Sequence, residues 1–298
     1  MSDVELITIG MTCFNAEGLI GRAIDSALNQ IWDNFEIVIV DDGSSDGSVE
    51  VIQEYASQHE HIRFIQHDVN KGFPAALNTV FENARGKYVA LFDDDDISMA
   101  DRLSKQYERI TSYERMYDTE MVFCYTNREV YALEDQANPL YKLEAIGRQD
   151  VAPSGEVVAD FLLWHTGKRG FCWGMFGSCT LMVRAETIKK FGGFDENFKR
   201  CAEWDVAARA AYLGAHFIAV DNVLVHQFKT PSADKANMIP LIYALQLRRK
   251  HKAYMNGKGR GLHLASIFLA SARFYGAKNN KIAARIFRGL HFILVCGR

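Results

Sequence analysis

The first hundred residues alternate between short apolar runs and segments with the three-to-four-residue apolar spacing of a helix. The apolar runs predict strands at residues 6–11, 35–40, 62–66 and 88–92. The helical spacing predicts helices at residues 19–30, 48–57 and 74–84. Because strands that alternate with helices are typical of βαβ units, we expect an α/β fold with a doubly wound, mostly parallel mixed sheet. Its carboxyl edge should carry the functional loops.

The pattern is less regular after residue 98. It predicts a helix at 99–114, then strands at 121–125, 129–133, 180–183, 217–220 and 223–228. Shorter helices are predicted at 185–191 and 203–213, and three further helices at 239–255, 262–275 and 281–295. We therefore expect two parts, a folded body over residues 1–230 and a helical C-terminal region over residues 231–298.

Charge separates the same two parts. The net charge of −3 combines +12 over residues 231–298, from 13 basic side chains and one acid, with −15 over the rest. Apolar residues of the last helix fall largely on one face, which is typical of a basic amphipathic helix at a membrane surface. An anionic membrane is therefore the expected partner of this region, and packing on the body or a homodimer is the alternative.

The N-terminus and the cysteines bear on location. The acidic start lacks the basic and long apolar segments of a signal peptide, and the six cysteines form no Cys-x-x-Cys pair. We expect a cytoplasmic protein with reduced thiols, peripheral on the inner face of the membrane if the last helices bind lipid. The predicted helices are too short and too interrupted by arginine to span a bilayer.

Four consecutive aspartates, Asp93-Asp94-Asp95-Asp96, follow the fourth predicted strand. Adjacent carboxylates at a sheltered sheet edge repel one another unless a cation neutralises them. Carboxylate oxygens are ligands of hard cations such as Mg²⁺ and Mn²⁺, which commonly hold phosphates. The quartet therefore predicts a metal-bound nucleotide, and a solvated acidic loop is the alternative.

A second acidic pair, Asp41-Asp42, follows the second predicted strand and precedes Gly43-Ser44. Asp, Gly and Ser favour turns and helix N-termini, so this pair has a purely structural interpretation as well as a binding one.

Taken in order, these motifs resemble family 2 glycosyltransferases of the GT-A fold over roughly residues 4–230. In chain order they are Thr12-Cys13-Phe14-Asn15, the string from Ile37 to Ser48, Asn70-Lys71-Gly72, the aspartate quartet, Gly192-Gly193-Phe194-Asp195-Glu196, and Glu203-Trp204-Asp205 with Arg209. Two positions depart from the family pattern: Thr12 replaces a proline, and Leu77 replaces an arginine, which affects how donor phosphates are held.

The resemblance implies a nucleotide-sugar donor, with a uracil-like base against Asp42. The residues it implies for donor binding are Thr12, Phe14, Glu17, Asp41, Asp42, Lys71, Asn78, Asp93 and Asp94. It also implies a Mn²⁺ or Mg²⁺ cofactor, with Asp95 as first ligand, Asp93 bridging ribose and metal, and His226 as third ligand or as a structural histidine.

The same resemblance implies an inverting transfer to a hydroxyl of a glycan or lipid-linked acceptor, in cell-surface polysaccharide synthesis. Glu203 is the expected general base and Asp205 the competing one. Trp173, Gly174 and Ser178 are expected to line the acceptor pocket, with core packing as the alternative for Trp173.

Two other functional classes are consistent with parts of the pattern. A nucleotidyltransferase uses a similar sheet and metal, but the loop at residues 12–18 has no basic residue and one glycine, which is a poor triphosphate loop. A noncatalytic nucleic-acid-binding module would use the basic region. We do not expect nucleic acid as a partner, because the basic residues interleave with apolar faces and adjoin no known nucleic-acid motif.

Overall fold

The first half of the sheet consists of four parallel strands. They are β1 (Ile7–Cys13), β2 (Phe35–Asp41), β3 (Ile62–Gln66) and β4 (Tyr88–Asp93). The computed structural model describes residues 4–164, 167–230 and 237–296, and in it β1 lies between β2 and β4 while β3 pairs with β2. These strands confirm the parallel α/β fold predicted from the sequence.

Three helices connect these strands and cover both faces of the sheet. They are α1 (Ile20–Leu28), α2 (Ser48–Gln58) and α3 (Phe73–Asn83). Alternate residues of β2 enter two separate apolar cores, Ile37 and Ile39 with α1 and α2, and Val38 and Val40 with α3. Because neighbouring side chains of a strand point to opposite faces, a continuous apolar run is what a strand buried on both sides requires.

The second half of the sheet is mixed. Its elements are β5 (Ile97–Ser98), α4 (Arg102–Tyr117), β6 (Val122–Ala132), β7 (Tyr141–Leu143), α5 (Glu156–Leu163), a 3-10 turn (Ser178–Thr180), β8 (Met182–Arg184), α6 (Ala185–Lys190), α7 (Ala202–Tyr212) and β9 (His216–Lys229). The strand order is β3-β2-β1-β4-β8-β6-β9-β5, and β7 pairs with β6 outside this path. β8 is antiparallel to β4 and β6, whereas β6 and β9 are parallel.

Two long strands replace the four short ones predicted for residues 121–133 and 217–228. β6 is continuous, and β9 continues through the predicted break because Asp221 and Asn222 form a bulge: Thr126 pairs with Val220, and Asn127 with Val223. A bulge adds residues to one strand without ending the ladder, which the apolar pattern alone does not reveal.

Four helices lie within residues 237–296. They are α8 (Ile239–Lys250), α9 (Lys252–Lys258), α10 (Leu262–Ala277) and α11 (Lys281–Cys296). The predicted boundary between residues 230 and 231 falls at residues 231–236, which lie outside the described residues. The single helix predicted at 239–255 is divided at His251, whose buried side chain contacts α7. Among the helices described, none combines the length and the apolarity needed to cross a bilayer.

The C-terminal helices share a core with the body. Leu247, Met255 and Leu262 are buried in the same cluster as residues of the sheet and of α7. The helical region therefore packs against the body.

Candidate active site

The aspartate quartet lies at the carboxyl end of β4, beside the end of β1. Thr12 of β1 pairs with Asp93, and the Phe14 amide donates a 3.0 Å hydrogen bond to Asp94 Oδ2. Parallel strands end at the same edge, so the loop after β1 and the quartet form one surface.

Strand β9 and helix α1 hold the other half of the quartet. The Phe228 amide donates to Asp96 Oδ1 at 3.1 Å, and the Thr230 hydroxyl donates to Asp95 Oδ2 at 2.7 Å. The Arg22 guanidinium donates to the Asp95 carbonyl oxygen. Contacts from distant parts of the chain thus fix the direction of these carboxylates.

Burial makes Asp93, Asp94 and Asp96 reluctant to ionise without a cation. Burial, together with the Asp95 carboxylate, raises the pKa of Asp93 to about 7 and that of Asp94 to about 8. Burial and the Asp93 carboxylate raise the pKa of Asp96 well above its usual range, and the Arg128 guanidinium partly opposes this shift. A bound cation would favour the ionised carboxylates.

The donor set fits a cation. Among the described residues, Asp93, Asp96 and Cys179 place one ligand-type atom each within 4.8 Å of one another. Asp96 is 4% exposed, and its Oδ2 is buried without a hydrogen-bond partner in the described structure. A buried acceptor without a partner is unusual, and a metal ion would satisfy it.

His226 lies outside this group of three. Its Nε2 is 3.8 Å from Glu129 Oε2, and its ring lies 4.8 Å from that of Tyr131. Burial lowers the pKa of His226, so the neutral imidazole is favoured. The structure thus pairs His226 with Glu129.

Asp42 organises the loop between β3 and α3. Its carboxylate accepts hydrogen bonds from the amides of Lys71 (2.9 Å) and Gly72 (2.7 Å) and contacts His67 Nδ1 at 2.7 Å. Asp42 is 3% exposed. Each carboxylate oxygen has two acceptor positions, so one position on Oδ2 is left for a ligand.

Asp41 has the structural role that the turn interpretation predicts. Its Oδ2 accepts hydrogen bonds from the amides of Gly43 (3.1 Å) and Ser44 (3.0 Å), and its side chain is fully buried. Gly43 has φ +74°, and a Cβ there would lie 2.7 Å from the Asn70 amide nitrogen. The turn therefore requires glycine.

The other expected donor contacts surround these loops. Thr12 lies in β1 between Val40 and Asp93, and Phe14 is 47% exposed. Glu17 accepts a 3.1 Å hydrogen bond from the Gly47 amide, and Lys71 is exposed.

Asn78 is engaged elsewhere. Its Nδ2 donates to the Phe194 carbonyl oxygen (2.9 Å) and to Glu196 Oε1 (3.0 Å), and its Oδ1 accepts from the Phe194 amide (2.8 Å). The structure corrects the expected donor contact, because these bonds use the amide to attach α3 to the segment before α7.

Glu203 lies in the first turn of α7 and is partly buried. Burial raises its pKa, while Arg200 and Arg128 oppose the increase. A carboxylate with a raised pKa is suited to accept a proton from a hydroxyl. Cys201, the residue before the start of α7, has φ +66°, an unfavourable conformation for a residue other than glycine.

Asp205 faces away from solvent into an ion cluster. Its carboxylate lies 2.8 Å from Arg209 Nε, 2.8 Å from Lys250 Nζ and 2.9 Å from His251 Nε2, and the residue is fully buried. Its pKa is lowered to about 2, because hydrogen bonds from His251 and Lys250 outweigh the effect of burial. This corrects the expectation of a competing base, since both oxygens are already paired.

The expected acceptor loop is packed from one side. Trp173 stacks on Phe161 with ring centroids 4.3 Å apart, and its Nε1 donates to the Lys168 carbonyl oxygen at 2.7 Å. A Cβ at Gly174 would lie 2.4 Å from a backbone oxygen of residue 144, and Ser178 begins the 3-10 turn. Trp173 is only partly buried, so an edge remains accessible.

Sequence reasoning missed Arg128 and Cys179. Arg128 NH1 donates to Cys179 Sγ at 3.5 Å, and Gln227 Nε2 lies 3.8 Å from the same sulfur. These residues come from β6, the 3-10 turn and β9, and no sequence motif links them. The one available signal was a charged residue in the polar stretch between two apolar runs of β6.

Comparison with known proteins identifies the class. The model of glycosyl transferase family 2 matches residues 8–159, which is half of the chain and includes both acidic motifs, the Asp41-Asp42 pair and the quartet. The chain therefore belongs to glycosyl transferase family 2.

Several similar proteins match about a third of the chain. A putative teichuronic acid biosynthesis glycosyltransferase of Bacillus subtilis is 36% identical over 103 residues, covering 35% of this chain and 41% of that protein. An uncharacterized glycosyltransferase of Haemophilus influenzae is 36% identical over 104 residues, covering 35% of this chain and 42% of that protein. The chain thus spans less than half the length of these relatives.

Longer similarity also occurs. An uncharacterized glycosyltransferase of Methanocaldococcus jannaschii is 25% identical over 260 residues, covering 85% of this chain and 82% of that protein. The crystal structure of S. aureus TarS 1-349 in complex with UDP-GlcNAc covers 97% of this chain and 81% of that chain, with a TM-score of 0.62 and 14% identity. At that identity, the likeness shows the GT-A-type fold.

Proposed function

We propose that the protein is an inverting, metal-dependent glycosyltransferase that uses a nucleotide-diphosphate sugar, with uridine as the expected nucleoside. The acceptor is a hydroxyl of a growing glycan or lipid-linked carrier in cell-surface polysaccharide synthesis. The observation that carries the proposal is the partly buried quartet at the carboxyl edge, in which Asp93 is close enough to Glu203 for the two carboxylates to interact electrostatically. The UDP-GlcNAc complex named for TarS supports the choice of donor class.

The quartet would hold the cation, with Asp93 and Asp95 as the proposed ligands. Asp96, which has a ligand-type oxygen within 4.8 Å of one of Asp93 and a buried oxygen without a partner among the described residues, adjoins them. When bound, the ion neutralises negative charge on the diphosphate leaving group. His226, which pairs with Ile97 beside the quartet, is proposed as a further metal ligand or a hydrogen-bond donor to phosphate, with a structural role as the alternative.

Glu203 accepts the proton of the acceptor hydroxyl. The hydroxyl oxygen then attacks the anomeric carbon from the side opposite the departing nucleoside diphosphate. One displacement of this kind inverts the anomeric configuration. Trp173, Gly174 and Ser178 are the proposed acceptor contacts. The residues proposed for the donor are Thr12, Phe14, Glu17, Asp41, Asp42, Lys71, Asp93 and Asp94.

A panel of nucleotide sugars with Mn²⁺ or Mg²⁺ tests the function through release of nucleoside diphosphate. We expect one donor to be hydrolysed, EDTA to stop the reaction, and added Mn²⁺ to restore it. Incubation with nucleoside triphosphates and sugar phosphates tests the nucleotidyltransferase alternative through pyrophosphate release. Pyrophosphate release without hydrolysis of any nucleotide sugar would overturn the proposal.

We also propose that α11 places the protein on an anionic membrane. Ile282, Ile286, Leu290 and Ile293 form an exposed stripe and are 77%, 57%, 38% and 66% exposed. The opposite face of α11 packs on α10, where Phe287 stacks on Tyr275. Exposed Lys281, Arg285 and Arg288 adjoin the apolar stripe, so this face suits an anionic lipid surface.

A further inference from the structure

Arg128 is a buried guanidinium with few partners. It is 8% exposed, its Nε has no hydrogen-bond partner among the described residues, and NH1 donates to Cys179 Sγ at 3.5 Å. A guanidinium offers five N–H donors, and a neutral thiol is a weak acceptor.

The surrounding carboxylates compensate the charge of Arg128 without satisfying its donors. Asp93, Asp96 and Glu203 are close enough to interact with it electrostatically. Within the part of the chain that the structure describes, however, no carboxylate forms an ion pair with it. Because a buried donor without an acceptor is costly, oxygen atoms of a ligand are the natural partners for this fork.

The shape of the neighbouring turn keeps the fork in place. A Cβ added to Gly177 would lie 1.8 Å from Arg128 NH1. No side chain fits at position 177 while Arg128 holds this position. The glycine before the 3-10 turn is therefore part of the same arrangement.

The position of Arg128 indicates which part of the donor it meets. It interacts electrostatically both with Asp93, on the side of the proposed cation and diphosphate, and with Glu203, the proposed base for the acceptor. In a single displacement, the transferred sugar lies between these two groups. We propose, resting on the proposed function, that Arg128 binds oxygen substituents of the transferred sugar and so contributes to donor specificity.

The test compares two ligands on the full-length protein. Once the donor panel has identified a hydrolysed nucleotide sugar, its binding and that of the matching nucleoside diphosphate are measured calorimetrically with Mn²⁺. We expect Arg128→Gln to weaken binding of the intact donor about tenfold or more, and to leave binding of the diphosphate within about twofold. Arg128→Lys keeps the charge but loses the planar fork, and should weaken donor binding by a similar factor.

Gly177→Ala perturbs the fork without changing the arginine, and Gly257→Ala is its control, since a Cβ at position 257 meets no atom within 4 Å. We expect Gly177→Ala to reproduce the selective loss of donor binding, and Gly257→Ala to behave like wild type. Thermal melting identifies folded variants. An equal loss of affinity for donor and diphosphate, or no loss for either, would overturn the role assigned to Arg128. If the wild type hydrolyses no nucleotide sugar, the result instead contradicts the proposed function.

Discussion

At the scale of single residues, the proposed chemistry depends most directly on Glu203. We expect Glu203→Gln to lower kcat for sugar transfer by about 10²- to 10⁴-fold, because an amide cannot accept the acceptor's proton. The melting temperature should stay within a few degrees, since Glu203 is only partly buried and no structural bond depends on it among the described contacts. The effect is measured as the initial rate of transfer from the nucleotide sugar identified in the donor panel to an acceptor.

Glu186→Gln is the matched control, because Glu186 lies on α6 and its side chain is 83% exposed. It should leave the rate unchanged. Transfer by purified Glu203→Gln at the wild-type rate would rule out Glu203 as the base.

Metal binding should depend on pH through the quartet. Because Asp93 and Asp94 have pKa values of about 7 and about 8, protons compete with the cation below these values. We expect the affinity for Mn²⁺, measured by electron paramagnetic resonance of the free ion, to rise between pH 6 and pH 8. Asp93→Asn should lower the affinity at pH 8 by more than about tenfold.

Asp150→Asn is the control for that experiment, because Asp150 is exposed and lies in a loop. An Mn²⁺ affinity that is independent of pH and of Asp93 would show that the ion binds elsewhere.

The sequence indicated which residues share the site but not how each is used. The quartet could be found because it follows a strand, a position that local pattern reveals, and Glu203 because its motif with Trp204 and Asp205 resembles that of the family. The sequence predicts Asn78 as a donor contact and Asp205 as a competing base, whereas the structure engages both side chains in tertiary contacts. Arg128 was missed because its neighbours Cys179 and Gln227 are distant in sequence.

At the scale of elements, the junction between α7 and α8 links the C-terminal helices to the helix that carries Glu203. Asp205 pairs with Lys250 and His251 at the end of α8, and His251 Nδ1 lies 2.6 Å from the Tyr212 hydroxyl. Arg209 also donates to the Gly193 carbonyl oxygen at 2.7 Å. These bonds position α7 from both sides.

We expect Asp205→Asn to destabilise the protein by about 2 kcal/mol at pH 7, from a folded pKa of about 2 against about 3.9 in the unfolded chain. A carboxylate whose pKa is lowered by folding stabilises the protein at pH values above its pKa in the unfolded chain. This stabilisation is lost as the pH falls through its pKa in the folded protein. The difference between variant and wild type should therefore shrink below about pH 4. Urea unfolding at several pH values measures it.

Asp195→Asn is a useful comparison, because Asp195 also pairs with Lys250 but lies nearer the surface. It should cost less stability than Asp205→Asn. A larger cost for Asp195→Asn would contradict the central role given to Asp205.

Elements were predictable where one physical cause dominated. The strands β1, β2 and β4 are buried on both faces and so appear as mostly apolar runs. β6 was divided in the prediction because Asn127 and Arg128 interrupt its apolar run. Asn127 is buried with partners that only the tertiary fold supplies, the Asp221 carboxylate at 2.7 Å and the Ala145 amide at 2.9 Å.

At the scale of the whole molecule, charge and apolar surface coincide on α11. The helix presents apolar residues on two sides: one packs on α10, and the other is the exposed stripe of Ile282, Ile286, Leu290 and Ile293. The sequence predicted an amphipathic helix, but it could not show that Phe287 belongs to the packed side. The structure separates the apolar surface that stabilises the fold from the surface left for a partner.

The exposed stripe predicts membrane binding that two substitutions should strongly weaken. We expect Ile286→Glu with Ile293→Glu to reduce cosedimentation with phosphatidylglycerol-containing vesicles by about tenfold or more, because two apolar contacts are replaced by charges that anionic lipids repel. Leu213→Glu, at a 56% exposed position of the body, is the control and should bind like wild type. Binding should weaken with added salt. If the double variant instead dissociates a dimer while vesicle binding is unchanged, the stripe is an interface between two copies of the chain.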